Sequence, residues 1–158
     1  MGAKMPLYVA LFFTVIGGVF LLERADAQAR DTIRKHHLQD IEQSLYFARN
    51  IHGTFPPYNE SSWCGIMTAP GNENILAQVE ETLRAQNEKY ANIEKPFPTD
   101  PLKDTVAPDY FYWKRSPASF ELYAILETDQ NGARTTSLCP GSDNYIYDYG
   151  IASVWREN

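Results

Sequence analysis

The residues of this 158-residue chain best suited to chemistry are its two cysteines, its three histidines and an acidic loop. Cys64 and Cys139 stand alone, without a CxxC motif or a paired histidine spacing, so they do not read as a zinc site. An even pair of cysteines in an exported domain reads as a disulfide, with two buried free thiols as the alternative. Such a bond would close a loop of about 75 residues and stabilise the fold by on the order of 3–4 kcal/mol. His36, His37 and His52 fall in a segment with helical character. Adjacent His36 and His37 face different directions there, which predicts surface residues rather than a metal or base site. Asp129-Gln130-Asn131-Gly132 has the start of an oxygen-ligand calcium loop, making Asp129 and Asn131 the candidate metal ligands. The later acid of an EF-hand is missing, and a plain turn competes. There is no P-loop, GxGxxG, HExxH or GxSxG. No catalytic residue and no cofactor other than calcium is predicted.

The elements that would position these residues begin with an apolar run, Met5–Leu22, that contains no charged residue. A helix of that length spans roughly 27 Å, near the thickness of a hydrocarbon core. Pro6, Leu7, Val9, Leu11, Phe12, Phe13, Val15, Ile16, Val19, Phe20, Leu21 and Leu22 are the predicted membrane-anchor residues. Lys4 before the run and Glu23, Arg24 and Asp26 after it predict a single-pass chain with its amino end in the cytoplasm and its head outside. The alternative is a secretory signal cleaved after Ala27, at Ala25-Asp26-Ala27, which would release a soluble binding domain. Gly17-Gly18 reads either as a close-packing point or as a place where the helix bends.

No proline occurs between Leu7 and Phe55, so one helix is predicted from about Met5 to Ile51. Leu38, Ile41, Leu45 and Ala48 recur at helical spacing and predict the stripe that packs on the head. Asp31 and Lys35 have i,i+4 spacing. Gly53, Pro56 and Pro57 supply the stop. The predicted divisions are therefore an anchor over 1–27, an amphipathic half-helix over 28–53 and a head over 54–158. Within the head, Pro56–Gly71 reads as a loop carrying Asn59-Glu60-Ser61, a glycosylation sequon. Glu73–Tyr90 reads as a shorter helix with Leu76, Val79 and Leu83 on one face. Tyr110–Lys114, Phe120–Leu126 and Tyr145–Tyr149 read as strands. The expected fold class is thus α+β, a long helix packed on a small antiparallel sheet.

The formal net charge is -6, which argues against a general nucleic-acid binder. Residues 1–58 carry six Lys/Arg and five Asp/Glu, so the head holds essentially all the acidity. Solubility explains such a surface, and calcium binding or partner steering is the sharper alternative.

The order of apolar segment, uninterrupted helix, proline loop, short helix and small sheet resembles the type IV pilin and type II secretion pseudopilin family. Ala29-Arg30-Asp31-Thr32-Ile33-Arg34-Lys35, running through Leu38, Ile41 and Leu45 to Asn50 and Gly53-Thr54-Phe55-Pro56, is similar to the family's passage from helix into first loop. Pro98-Thr99-Asp100-Pro101 ahead of Tyr110–Trp113 is similar to its Pro-x-Asp-Pro segment. Phe120–Glu127 looks like the strand that follows. Phe13-Thr14-Val15-Ile16-Gly17 is similar to the family's amino-terminal motif, with Gly17 where the family has glutamate, and no glutamate lies within Met5–Leu22. A leader ending at Gly2 would make Ala3 the first mature residue. The resemblance implies a filament subunit in a pilus, competence or secretion apparatus, and the missing glutamate leaves a minor or tip-type subunit or a retained pilin-like anchor protein; with no catalytic constellation, no enzyme is expected. The implied partners are like subunits through the N-terminal helix, the inner-membrane assembly machinery and the lipid bilayer. Related pseudopilins bind calcium near the segment that holds Asp129 here.

Overall fold

The computed structural model describes residues 5–90, 97–102, 109–128, 134–135, 146–147 and 149–154, with residues 5–16, 87–90, 134–135, 146–147 and 153–154 described by their backbone alone. The element order is α1 (Met5–His52), β1 (Trp63–Ile66), α2 (Glu73–Tyr90), β2 (Phe111–Ser116), β3 (Ser119–Ala124), β4 (Arg134–Thr135), β5 (Ile146–Tyr147) and β6 (Tyr149–Val154). It is an α+β arrangement, a long N-terminal helix with an antiparallel four-stranded sheet in the order β1-β2-β3-β6. β4 and β5 pair separately.

α1 is a single helix of 48 residues. Its one proline, Pro6, lies in the first turn, where no intrahelical donor is required, and the helix runs through Gly17-Gly18, where an added Cβ would meet nothing within 4 Å. It ends where Gly53 takes a φ of +74° and donates its N–H to Arg49 O at 2.8 Å, a left-handed cap that glycine adopts without strain.

The expected membrane crossing is corrected here. Among the described residues no helix is long and apolar enough to cross a membrane. The described side chains of α1 comprise only a short apolar stretch, Val19–Leu22, followed by Glu23, Arg24 and Asp26. A crossing helix needs roughly 20 consecutive, mostly apolar residues. The single-pass localisation with its cytoplasmic amino end therefore does not stand. Of the residues assigned to the anchor, Pro6, Leu7, Val9, Leu11, Phe12, Phe13, Val15 and Ile16 have side chains outside the described set. Val19, Phe20, Leu21 and Leu22 are exposed.

From Asp31 onward α1 packs on the head. Leu38, Ile41, Leu45 and Ala48 are fully buried. The first three join Phe55, Met67, Ile75, Val79, Tyr110, Tyr112, Phe120, Leu122 and Ala124 in the main core. α2 contributes Ile75, Val79 and Leu83, all buried, whereas Leu76 is only half-buried. The buried face of α2 therefore starts one residue earlier than its sequence pattern suggests.

β2 and β3 form a hairpin in which Ser116 pairs with Ser119 across Pro117-Ala118. Alternation sends Tyr112, Lys114, Phe120 and Leu122 toward α1, and Phe111, Trp113 and Tyr123 to the opposite face. Tyr123 lies across Gly150 on β6, where a Cβ would come within 2.5 Å of the tyrosine ring. β1 falls inside the segment read from sequence as loop. It pairs along β2, Cys64 opposite Trp113 and Gly65 opposite Tyr112, and this pairing outweighs Gly65 and the loop-like residues on either side of Trp63–Ile66.

Candidate functional site

The most heavily built polar site lies where α1 first meets the head. Asp31 and Arg34 occupy the same helical face as Leu38 and Ile41, at spacings of three and four. That face points at the head, so both charged side chains go inside: Asp31 is 4% exposed and Arg34 is 1% exposed. A buried guanidinium costs heavily unless its donors are met by negative charge.

Three segments meet them. Arg34 Nε and Nη2 donate to the two carboxylate oxygens of Asp100, at 2.7 and 3.1 Å. Arg34 Nη1 donates to Asp31 Oδ1 at 2.8 Å and to Glu127 Oε1 at 2.7 Å. Arg30 adds a second fork onto Glu127, at 2.8 and 2.6 Å. Asp31 in turn accepts from the amides of Glu127 and Thr128, both at 2.9 Å, and from Thr128 Oγ1 at 2.6 Å. Asp109 accepts from the amide of Asp100 at 2.9 Å, from that of Tyr110 at 2.8 Å and from Thr68 Oγ1 at 2.8 Å. The backbone at 97–102, 109–110 and 127–128 is thus fastened to one turn of α1 by fixed charges.

The electrostatics follow from this geometry. Burial pushes the Asp31 carboxyl up, but its bonds from Thr128 and the Glu127 amide outweigh that and hold it below the usual carboxylate value. The Arg30 fork, with Arg34 behind it, holds Glu127 down as well. Burial works against the Arg34 charge, and Asp100, Glu127 and Asp31 together more than restore it. The next turn of the helix carries the site onward to His37, whose Nδ1 lies 2.7 Å from the Tyr110 hydroxyl and whose ring meets the Tyr110 ring edge-on. Burial lowers the His37 pKa despite nearby Asp40.

A second buried charge braces the far side of the core. Lys114 is fully buried, and its Nζ donates to Pro57 O at 2.8 Å and Glu60 O at 2.5 Å. Tyr112 Oη donates to Pro56 O at 2.6 Å. Burial lowers the Lys114 pKa, with Glu60 opposing. Together these bonds hold the loop after α1 onto the sheet.

The residues singled out from sequence fall differently. His36 is exposed. His37 is half-buried and bonded, which corrects its assignment to the surface, and His52 stacks on Tyr58 with ring centroids 4.1 Å apart. Asp31 turns inward to Arg34 and the 127–128 backbone instead of pairing along the helix with Lys35, whose ammonium sits 5.3 Å from the Tyr149 ring centroid. Cys64 on β1 is disulfide-bonded; Cys139 lies outside the described residues. The calcium candidates Asp129 and Asn131 also lie outside them. Among the described residues no group of three or more His, Cys, Asp and Glu could hold a metal ion.

Sequence reading singled out neither Arg34 nor Lys114 as buried. The signal was present in both cases: Arg34 lies four residues before Leu38 on the buried stripe, and Lys114 shares its strand parity with Tyr112. Arranged this way, the charged groups are saturated by one another and by backbone, which suits holding segments together rather than acid–base work. No family, curated protein or solved structure matches this chain.

Proposed function

We propose that the chain is a pilin-like or pseudopilin-like filament subunit, in which α1 packs against the same helix of neighbouring copies and the α+β head forms the outer surface. The observation that carries this reading is the state of α1 before it reaches the head. Val19, Phe20, Leu21 and Leu22 are 50%, 67%, 71% and 68% exposed. Consecutive helical residues step by about 100°, so four in a row point almost all the way round the axis. A helix that is apolar all round belongs inside something. A single partner on one side would leave part of this stretch in water, whereas a bundle of like helices encloses it. The order of elements and the Pro98-Thr99-Asp100-Pro101 segment add their resemblance to the same reading.

In this account the work is mechanical. Helix packing holds copies together, and the buried charges hold each head rigidly on its helix. Phe20→Glu with Leu22→Glu in the full chain is expected to abolish assembly, measured by sedimentation, while the circular dichroism of the head stays unchanged. Assembly at wild-type extent by that variant would exclude the helix as the packing element.

A further inference from the structure

We propose that the Arg30–Asp31–Arg34 turn is a carboxylate-dependent clamp that fixes the point at which α1 leaves the head. The inference goes beyond the filament reading and does not depend on assembly.

Its position is the first argument. Residues between Glu23 and Ala29 are exposed or half-exposed, and Asp31 is the first buried residue of the described helix. The ion pairs therefore stand at the end of the packed interface, where peeling of the helix from the head would begin. A zipper-like contact is weakest at its end, and here the end carries the densest set of charge-assisted bonds described in the chain.

Its connectivity is the second. Asp100 and Glu127 reach Arg34 from segments separated from it by 66 and 93 positions in sequence. Asp31 holds the backbone of 127–128 directly. If the carboxylates lose charge, all of these contacts weaken together, because they share one guanidinium and one Asp31 carboxylate. The apolar contacts of Leu38, Ile41 and Leu45 lie farther along α1, in a cluster whose buried residues include no carboxylate. The clamp can thus open while the rest of the interface stays closed.

The charged and titratable groups around it come from every packed segment. α1 supplies Asp26, Arg30, Asp31, Arg34, His37 and Asp40; the 97–102 segment supplies Asp100; the lead-in to β2 supplies Asp109 and Tyr110; and the chain after β3 supplies Glu127. Among those that bond directly to Arg34, only carboxylates change charge below neutrality, so acid is the condition that opens the clamp. As pH falls through the depressed values of Asp31 and Glu127, their favourable contribution disappears.

Amide hydrogen exchange on the full chain tests this. The amides of Glu127 and Thr128 end on Asp31 and report the clamp, while those of β2 and β3 report the sheet. After correction for intrinsic rates, lowering the pH from 7 to about 3 is expected to reduce protection at Glu127 and Thr128 by about tenfold or more, with the strand amides retaining theirs. Glu127→Gln keeps the side chain's shape without its charge and is expected to reduce protection at Thr128 by about tenfold already at pH 7. Loss of protection at junction and strands in a single step would overturn the proposal, as would wild-type exchange of Thr128 in the folded variant.

Discussion

A guanidinium that is 1% exposed and shared by three carboxylates makes Arg34 a residue whose removal leaves more damage than the loss of its own bonds. Asp31 and Asp100 would stay buried with their counter-charge gone. Breaking a buried pair from one side costs about 3–5 kcal/mol, and Arg34→Met is expected to lose that much in urea unfolding; a loss under about 1 kcal/mol would show the cluster to be ornamental. Lys114 works on the same principle with neutral acceptors. Lys114→Met keeps the apolar stem but removes the ammonium donor from Glu60 O and leaves Pro57 O with only the 3.3 Å bond from the Glu60 amide, for an expected loss of about 1–3 kcal/mol by the same measurement. Both residues were legible in principle. Each lies on the buried periodicity of its own element, but a charged type at such a position reads as solvated surface until tertiary partners are known. Asp100 and Glu127 come from remote segments, and no local pattern places them beside Arg34.

At the scale of elements, the long helix and α2 were written in local terms: an absence of proline, a recurring apolar stripe and a glycine stop. The four-stranded sheet was legible only for its central hairpin, where Phe111, Tyr112, Phe120 and Leu122 supply strong strand propensity. β1 contains Cys64 and Gly65 amid a loop-like composition, and it exists through pairing with β2 rather than through its own residues. The packing of α1 on this sheet carries a pH dependence. Asp31 and Glu127 have folded values below their ordinary ones, so their contribution is fully present above about pH 5 and is lost as pH falls through the depressed values. Urea midpoints measured from pH 7 downward should therefore fall in the acid range, and Asp31→Asn should flatten that slope. An equally steep slope in the variant would assign the effect to other carboxylates.

For the whole molecule, charge divides the chain into a near-neutral portion over residues 1–58 and an acidic remainder. Among the described residues, every buried residue of α1 lies at or after Asp31. Val19, Phe20, Leu21 and Leu22 are exposed. The membrane crossing expected from composition is not found: among the described residues no helix is long and apolar enough to cross a membrane. The proposed partner of these exposed apolar residues is the same stretch of other copies. Electron microscopy of the full chain beside a chain lacking residues 1–22 tests this most directly. Fibres from the full chain, with folded and unassembled heads from the shortened one, are the predicted result. Fibres of the same form from the shortened chain would contradict it.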